Sequence, residues 1–212
     1  MVTEQISNSE YFFPNRMGRI LLLAFEEVLG RPGLIAVQRL AGLDHWINTL
    51  PPNNLDEGIP FQDIGAMHTS LERMYGPRAG HGLALRTGRA SFNYGLREFG
   101  PSLGASDLAF RLLPLPMKIK TGMQSLADVF NHNSDQVVHL REESDHYLWQ
   151  IERCPICWGR TSNEACCHFE VGMLQEALFW ISGGKNYQVQ EIDCIAAGDP
   201  ACVIRIEQNP LD

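Results

Sequence analysis

The residues of this chain most able to do chemistry are its cysteines, and all of them lie in its last third. They number six in 212 residues: Cys154, Cys157, Cys166, Cys167, Cys194 and Cys202. A cysteine thiolate binds metal ions or forms disulfides, whereas a buried neutral thiol acts as a small apolar group. Because cysteines that only fill a core would rarely gather in one third of a chain, we expect the chemistry in the C-terminal region.

The segment that begins with Cys166 and Cys167 has the apolar spacing of an amphipathic helix. Spacings of four, three, four and three place five residues on one inward face: Cys167, Val171, Leu174, Leu178 and Ile181. In ideal helical geometry, Cys166 and His168 lie about 100° to either side of Cys167. Cys167 is therefore expected to point inward from the first turn, where the helix dipole favours the thiolate that binds metal.

The last two apolar segments flank a Gly-Asp-Pro turn and predict a β-hairpin. With the turn centred on Gly198, Cys194 faces Cys202, and such cross-strand pairs have Cβ atoms roughly 4.5–5.5 Å apart. The same register pairs Glu191 with Arg205. Glu191 and Cys194 have opposite parity, so a regular strand would point them to opposite sides. Both can bind one ion only if the strand bulges or ends between them.

Several kinds of site fit these spacings. A closed tetrahedral zinc site of three thiolates and one carboxylate would use Cys167, Glu191, Cys194 and Cys202. A rival site of four thiolates would take the CxxC pair instead and use Cys154, Cys157, Cys194 and Cys202. The spacing also allows inert buried thiols beside a Glu191–Arg205 ion pair, or a disulfide or redox role for the cysteines.

The elements that must position these residues change character near residue 133. Five or six helical patterns precede that point, and the order after it is strand, strand, helix, strand, strand. This order predicts an α+β fold in which helices cover an antiparallel sheet of two hairpins. We expect a helical part over residues 1–134 and a second part over residues 135–208, joined in one integrated unit.

Glycine and proline predict several boundaries within the helical part. Residues 1–15 have the composition of a loose arm, and a helix over residues 17–29 is expected to end at Gly30, with another starting near Pro32. The segment GPRAGHG is expected to break the chain before the next helix. Gly88 and Gly95 share one face of that helix, which predicts close packing against another backbone or against a ligand.

The C-terminal motif resembles the 4-vinyl-reductase domain family over about residues 135–207. A Cys, a Gly five residues later, a helix and then E-x-x-C-x7-C around a GD turn are typical of that family. The matching residues here are Cys167, Gly172, Glu191, Cys194, Gly198, Asp199 and Cys202. The upstream helices also look like those of bacterial members described as hydrocarbon-binding.

The resemblance implies a fold related to the ligand-binding fold of a vesicle-tethering subunit and of haem-based nitric-oxide sensors. In phenol-responsive transcriptional activators, the domain is the sensor and binds zinc through the motif. Carried over by position, the zinc ligands are Cys167, Glu191, Cys194 and Cys202, and the CxxC pair lies outside the motif. The family name, which refers to vinyl reduction in bacteriochlorophyll synthesis, implies an alternative as an enzyme or accessory protein of tetrapyrrole metabolism.

The composition of the chain restricts the kinds of partner that we expect it to bind. The formal net charge is −8 and the densest basic patch is PMKIK, which argues against a nucleic-acid interface. The longest apolar run, ILLLAF, is far short of a membrane span, and the acidic N-terminus is unlike a secretory signal. We therefore expect a cytoplasmic protein, and a homodimer.

The leading hypothesis is a binding protein for a hydrophobic or aromatic small molecule, or a tetrapyrrole, with a structural zinc. The sequence contains no GxGxxG dinucleotide fingerprint and no evident flavin motif, which argues against a reductase. Pockets of this kind are mostly apolar with a few polar groups. The candidate apolar liners are Phe92, Tyr94, Phe110, Met117, Met123 and Trp149, and the candidate polar anchors are His68, His81 and His146.

Overall fold

The structure is a computed structural model that describes residues 11–101, 103 and 108–211. Its helices are α1 (Asn15–Leu40), α2 (Phe61–Tyr75), α3 (Pro77–Phe99), α4 (Leu108–Leu112), α5 (Leu115–Asn133) and α6 (His168–Ser182). Its strands are β1 (Phe12–Pro14), β2 (Glu57–Pro60), β3 (Val138–Glu142), β4 (His146–Ile151), β5 (Tyr187–Asp193) and β6 (Cys202–Pro210). The predicted α+β class is confirmed.

The C-terminal sheet has four antiparallel strands in the order β3-β4-β6-β5. It consists of the two predicted hairpins, β3-β4 and β5-β6, joined by pairing of β4 with β6. The inward residues of β4 alternate along the strand as Tyr147, Trp149 and Ile151, all of which are buried. This alternation with a period of two is what places one face of the sheet on the core.

The N-terminal segment is more ordered than the predicted loose arm over residues 1–15. Strand β1 pairs with β2 in a small antiparallel sheet, and the backbone N–H of Phe12 donates a hydrogen bond to Asp135 Oδ2 at 2.8 Å. The arm prediction is therefore wrong for residues 12–15, because the apolar side chain of Phe13 has a buried place to pack. Residues 1–10 lie outside the described part of the chain.

Two predicted helix boundaries differ from the structure. The expected break at Gly30 is a kink inside α1, where Gly30 has φ 69° and ψ 162° and the helix continues through Pro32. The segment GPRAGHG is not the predicted break, because only Gly76, with φ 78°, separates α2 from α3. Pro77 then occupies the first position of α3, where its missing N–H costs no hydrogen bond. None of the described helices combines the length and apolar character that a membrane span needs.

Helices α3 and α6 cross with their backbones in contact. A Cβ added at Gly88 would overlap the carbonyl oxygen of Phe169, and one added at Gly172 would overlap the carbonyl oxygen of Leu85. The glycine five residues after Cys167 therefore has a packing role, because only a residue without a side chain permits this approach. The crossing fixes the start of α6, which is where the cysteine cluster begins.

Candidate functional site

Five potential metal ligands converge at the start of α6. Their ligand atoms all lie within 4.8 Å of one another, every side chain is buried, and the residues are Cys157, Cys167, Glu191, Cys194 and Cys202. They come from the loop after β4, the residue before α6, strand β5, the residue after β5 and the first residue of β6. The four residues that the family motif implied as ligands are thus brought together, and Cys157 joins them.

The sulfur separations match the size of a site for one ion. The Cys157 Sγ lies 3.1 Å from the Cys167 Sγ, 3.5 Å from the Cys194 Sγ and 3.4 Å from the Cys202 Sγ. With Zn–S bonds of about 2.3 Å, the edge of a tetrahedral zinc–thiolate site is about 3.8 Å. The cluster therefore needs only a small expansion to surround one zinc ion.

The two remaining cysteines border the same cluster. The Cys154 Sγ lies 3.4 Å from the Cys167 Sγ, and the Cys166 Sγ lies 3.7 Å from the Cys194 Sγ. Helical spacing predicts that Cys166 turns about 100° away from the inward face. That expectation is wrong because α6 begins only at His168, so helical geometry does not relate Cys166 to Cys167. The motif also leaves Cys154 outside the site, although the structure places it alongside.

The parity conflict between Glu191 and Cys194 is resolved by an irregular strand. Glu191 is opposite Ile204, but Asp193 is opposite Val203, so the register shifts between them. Ile192 is 47% exposed within this irregularity, and β5 ends at Asp193. Both Glu191 and Cys194 can then face the same interior, as the sequence required for a shared ion.

The predicted pairing of Glu191 with Arg205 is wrong for the same reason. Gln190 is the residue opposite Arg205. The Arg205 guanidinium instead forms ion pairs with Asp145 at 3.4 Å and with Glu207 at 2.8 Å. The alternative in which Glu191 serves only as the partner of Arg205 is therefore excluded.

The turn between β5 and β6 directs one backbone N–H group at a cluster sulfur. A short 3-10 helix, Ile195–Ala197, ends at Gly198, whose φ of 108° requires glycine. The Ile195 N–H donates to the Cys202 Sγ at 3.4 Å, and the Cys194 N–H donates to Asp199 Oδ2 at 2.8 Å. A donor aimed at sulfur favours the thiolate that a metal ion needs.

Glu191 carries the clearest sign that the cluster fits a cation. Its Oε2 accepts a hydrogen bond from the Cys167 N–H at 2.7 Å, while its Oε1 is buried without a hydrogen-bond partner in the described structure. Burial, and then the neighbouring Cys194 thiol, raise the pKa of Glu191 to about 8. A bound divalent cation would both satisfy Oε1 and stabilise the charged carboxylate.

A cavity lies next to this cluster, between helices α1, α3, α5 and α6 and the loop after β4. The cavity has a volume of about 70 Å³ and is partly open to solvent. Most of its lining is apolar, for example Phe13, Met17, Ile64, Phe92, Leu126 and Phe169. The only polar side chains among the described lining residues are those of Ser91 and Glu170.

Glu170 is unusual because it is an acid in an apolar wall. Its side chain is only 3% exposed, and its Oε1 accepts a hydrogen bond from Trp149 Nε1 at 3.1 Å. Burial raises the pKa of Glu170 to about 7, with the hydrogen bond from Trp149 acting in the opposite direction. A carboxyl group with this pKa can be either protonated or ionised near neutral pH.

Of the predicted apolar liners, Phe92 is the one that lines the cavity. Met123 and Trp149 are buried in the core, and Trp149 reaches the cavity only through Glu170. Met117 is 56% exposed, because it lies on the outer face of α5. Phe110 packs away from the cavity against Trp180, and Tyr94 lies half-buried under Arg97.

The predicted histidine anchors also lie elsewhere in the described structure. His68 is buried between the rings of Phe25 and Phe169. His81 lies against His168 with ring centroids 3.9 Å apart. His146 contacts Asp145 at 2.6 Å at the edge of the sheet.

The residue that the sequence reasoning missed is Glu170. It lies three residues after Cys167 in a helix that is otherwise apolar on its inward side, and this isolated acid was a signal that could have been found. Ser91 and Gly95 line the same cavity from α3. The spacing of Gly95 from Gly88 predicted close packing or a ligand there, whereas Ser91 carries no comparable signal.

Comparison with known proteins shows a domain match over part of the chain and a similar fold. Residues 149–208 match the family model of the 4-vinyl-reductase domain, which confirms the predicted resemblance over that part of the chain. That range contains the five clustered ligands and Glu170. No curated protein sequence matches the chain.

The fold as a whole is similar to that of H-NOX proteins. A double variant of Tt H-NOX is 12% identical, with 94% of this chain and 97% of that chain covered and a TM-score of 0.57. The Fe(II) unliganded H-NOX protein from K. algicida is 12% identical, with 92% and 96% covered and a TM-score of 0.54. These similarities confirm the predicted relation to the nitric-oxide-sensor fold.

A third structure is similar over a smaller part. The phenol-responsive sensory domain of the transcription activator PoxR, solved with phenol, is 17% identical. The match covers 72% of this chain and 77% of that chain, with a TM-score of 0.47.

Proposed function

We propose that the protein binds a hydrophobic or aromatic small molecule in the cavity between α1, α3, α5 and α6. The observation that carries this proposal is the cavity itself, which is partly open to solvent and has an almost wholly apolar lining. Leaving apolar side chains around empty space loses packing energy, so a binding function is the physical reason to keep such a cavity. The 4-vinyl-reductase domain match and the sensor fold support the same class of function.

The residues of the cavity do not fit a haem. H-NOX proteins of this fold are described with Fe(II) and with heme. Haem iron needs an axial ligand such as His, Cys or Tyr, and the described lining offers only the thioethers of Met17 and Met173 as side-chain donors of that kind. The same lack of histidine removes support from a tetrapyrrole held through magnesium. We therefore propose an organic ligand without a metal of its own.

We further propose that the cysteine cluster is a structural zinc centre with the ligands Cys167, Glu191, Cys194 and Cys202. The unpartnered Oε1 of Glu191 favours this set over four thiolates, because an unsatisfied buried carboxylate oxygen is costly and a neutral thiol is not. Cys157 would then be a neighbouring thiol. A closed site of four protein ligands is typical of structural zinc.

The two proposed sites share helix α6. Cys167 directly precedes the helix, while Phe169, Glu170 and Met173 on its first two turns line the cavity. A zinc ion bound between α6 and the β5-β6 hairpin would fix this wall of the cavity. The expected role of the metal is therefore to hold the binding site in shape.

Filling the cavity tests the binding function. A Cβ at Gly95 meets nothing within 4 Å, so Gly95→Leu should place its side chain in the empty space without distorting α3. Gly82→Leu is a matched control, because Gly82 lies on the exposed side of the same helix and also has open space around its Cβ. The measurement is the fluorescence of Nile red, a neutral apolar dye, during titration with protein.

We expect Gly95→Leu to weaken dye binding by about tenfold or more, as a lost apolar contact of this size would. Gly82→Leu should bind like the wild type. Equal binding by all three proteins would place the dye outside the cavity and contradict the proposal.

Metal content tests the zinc centre. Protein purified without chelator is expected to hold one equivalent of zinc per chain by elemental analysis. Cys194→Ser and Glu191→Gln should lower that content, and Cys154→Ser should not. Loss of zinc in Cys157→Ser together with retention in Glu191→Gln would show four thiolates instead, and zinc-free wild-type protein would overturn the centre altogether.

A further inference from the structure

We propose that Glu170 determines the specificity of the cavity by selecting apolar ligands that carry one hydrogen-bond donor, an N–H or O–H group, opposite its Oε2 atom. This inference rests on the proposed binding function and names the chemistry of the ligand. It assigns Glu170 a contact with the ligand and makes Trp149 a positioning residue behind it.

The first support is the arrangement of the two carboxyl oxygens. Trp149, whose side chain is fully buried, donates to Oε1 at 3.1 Å and so fixes the orientation of the carboxyl group. The hydrogen bond from Trp149 is the one recorded for this carboxyl group in the described part of the chain, and it leaves Oε2 available, although the side chain as a whole is only 3% exposed. An acceptor held rigidly at the wall of a cavity, with one oxygen satisfied and one open, is prepared for a donor.

The second support is the absence of competitors around the cavity. Among its described lining residues there is no lysine, arginine or histidine, and Ser91 on α3 is the other polar side chain. A ligand donor that enters this space therefore finds its strongest acceptor at Glu170. The same carboxylate disfavours ligands that carry a negative charge, because burying two like charges together is costly.

The protonation state of Glu170 sets the conditions of the test. Since burial raises the pKa of Glu170 to about 7, the group is ionised at pH 8.5 and acts there only as an acceptor. The titratable group that interacts with it electrostatically from the neighbouring loop is the Cys154 thiol. Measurements at pH 8.5 thus compare ligands against a carboxylate.

Indole and indene are suitable probes, because they have the same two-ring shape and differ in an N–H group replaced by CH2. Their affinities would be measured by calorimetry on the full chain loaded with zinc at pH 8.5. We expect indole to bind about tenfold more tightly or better, the effect of one hydrogen bond to a charged acceptor.

Glu170→Gln tests whether the preference belongs to this side chain. The amide oxygen can still accept from Trp149, but the NH2 group then faces the ligand as a donor, so the preference for indole should fall to about twofold or less. Glu176→Gln makes the same change on α6 outside the cavity lining, where Glu176 accepts a hydrogen bond from Asn93, and this matched control should keep the wild-type preference. Binding of indene by Glu170→Gln would verify that the variant retains a folded cavity.

The outcomes separate this inference from the proposed function. Equal affinities of the wild type for indole and indene would overturn the role of Glu170 while leaving the binding function intact. An unchanged preference in Glu170→Gln would also overturn it, because the donor would then be recognised elsewhere. Failure of the wild type to bind either probe or Nile red would overturn both.

Discussion

Two glycines on one face of α3 mark two regions that differ sharply. At Gly88 the backbone of α6 is so close that a Cβ would overlap the Phe169 carbonyl oxygen. At Gly95, seven residues along the same helix, a Cβ would meet nothing within 4 Å, and the glycine borders the cavity. The sequence predicted either close backbone packing or a ligand for this pair, and the structure uses one glycine for the packing and places the other beside empty space.

The difference shows how one pair of helices, α3 and α6, both fixes the backbone beside the cysteine cluster and lines a cavity for a ligand. The crossing at Gly88 holds the first turn of α6, directly after Cys167, and Gly95 lies further along α3 where that helix lines the cavity. Phe169 belongs to both regions, since its carbonyl contacts Gly88 while its residue also lines the cavity. Rigid packing at one end thus gives the open end a fixed shape, which lowers the entropy that binding costs.

The largest expected effect comes from removing the metal, which should loosen the packed region and with it the cavity. A chelator such as phenanthroline should lower the free energy of unfolding by several kcal/mol, on the order of 5, because a structural zinc site contributes directly to folding. Nile red affinity should fall in parallel. The measurement is denaturant unfolding with and without the chelator.

Adding zinc back should restore both properties, and magnesium should not, since thiolates prefer softer ions. Unchanged unfolding after complete metal removal would show that the Gly88 crossing holds α6 without the metal.

The next effect tests the two glycines directly through alanine substitutions. Gly88→Ala should destabilise the zinc-loaded protein by more than about 3 kcal/mol, because the new methyl group would meet backbone that cannot move cheaply. Gly95→Ala should instead stabilise it by about 0.5–1 kcal/mol, the difference in helix propensity in open space. Denaturant unfolding of both variants measures the contrast, and equal effects would mean that the two regions are not distinct.

The sequence predicted the cysteine centre far better than the cavity, for a physical reason. Hairpin register relates Cys194 to Cys202, and the apolar spacing of the following helix gives the direction of Cys167. Local spacing in the sequence therefore constrains all three residues. The approach of Cys157 depends on how the loop after β4 returns to the sheet, which spacing does not encode. The fold class followed in the same way from periodicity and from the order of the elements.

The cavity could not be predicted because its wall combines distant parts of the chain. Phe13, Ile64, Phe92, Leu126 and Phe169 come from five different elements, and no spacing relates them. Aromatic and methionine residues at helical spacing are as common in a packed core as in a pocket, which is why Met123 and Trp149 are core residues here. The open space is a property of the packing alone.

The smallest expected effect is the pH dependence of stability that comes from Glu170, which tests the wall of the cavity. Its pKa is raised from 4.5 to about 7 in the folded protein, so between these values the native state keeps a proton that the unfolded state releases. The contribution of Glu170 to the free energy of unfolding is therefore fully present below about pH 4.5. It declines as the pH rises to about 7 and stays constant above that. The decline amounts to at most about 3 kcal/mol, from the size of the shift.

Glu170→Gln removes this titration while keeping the shape of the side chain. The difference in unfolding free energy between wild type and Glu170→Gln should therefore fall as the pH rises from about 5 to 7.5, with zinc present throughout. Taking this difference cancels the titration of the metal ligands, which both proteins share. Bound indole, an apolar hydrogen-bond donor, should favour the ionised form of Glu170 and so shift the decline in this free-energy difference to lower pH. A decline at the same pH with and without indole would place the indole away from Glu170.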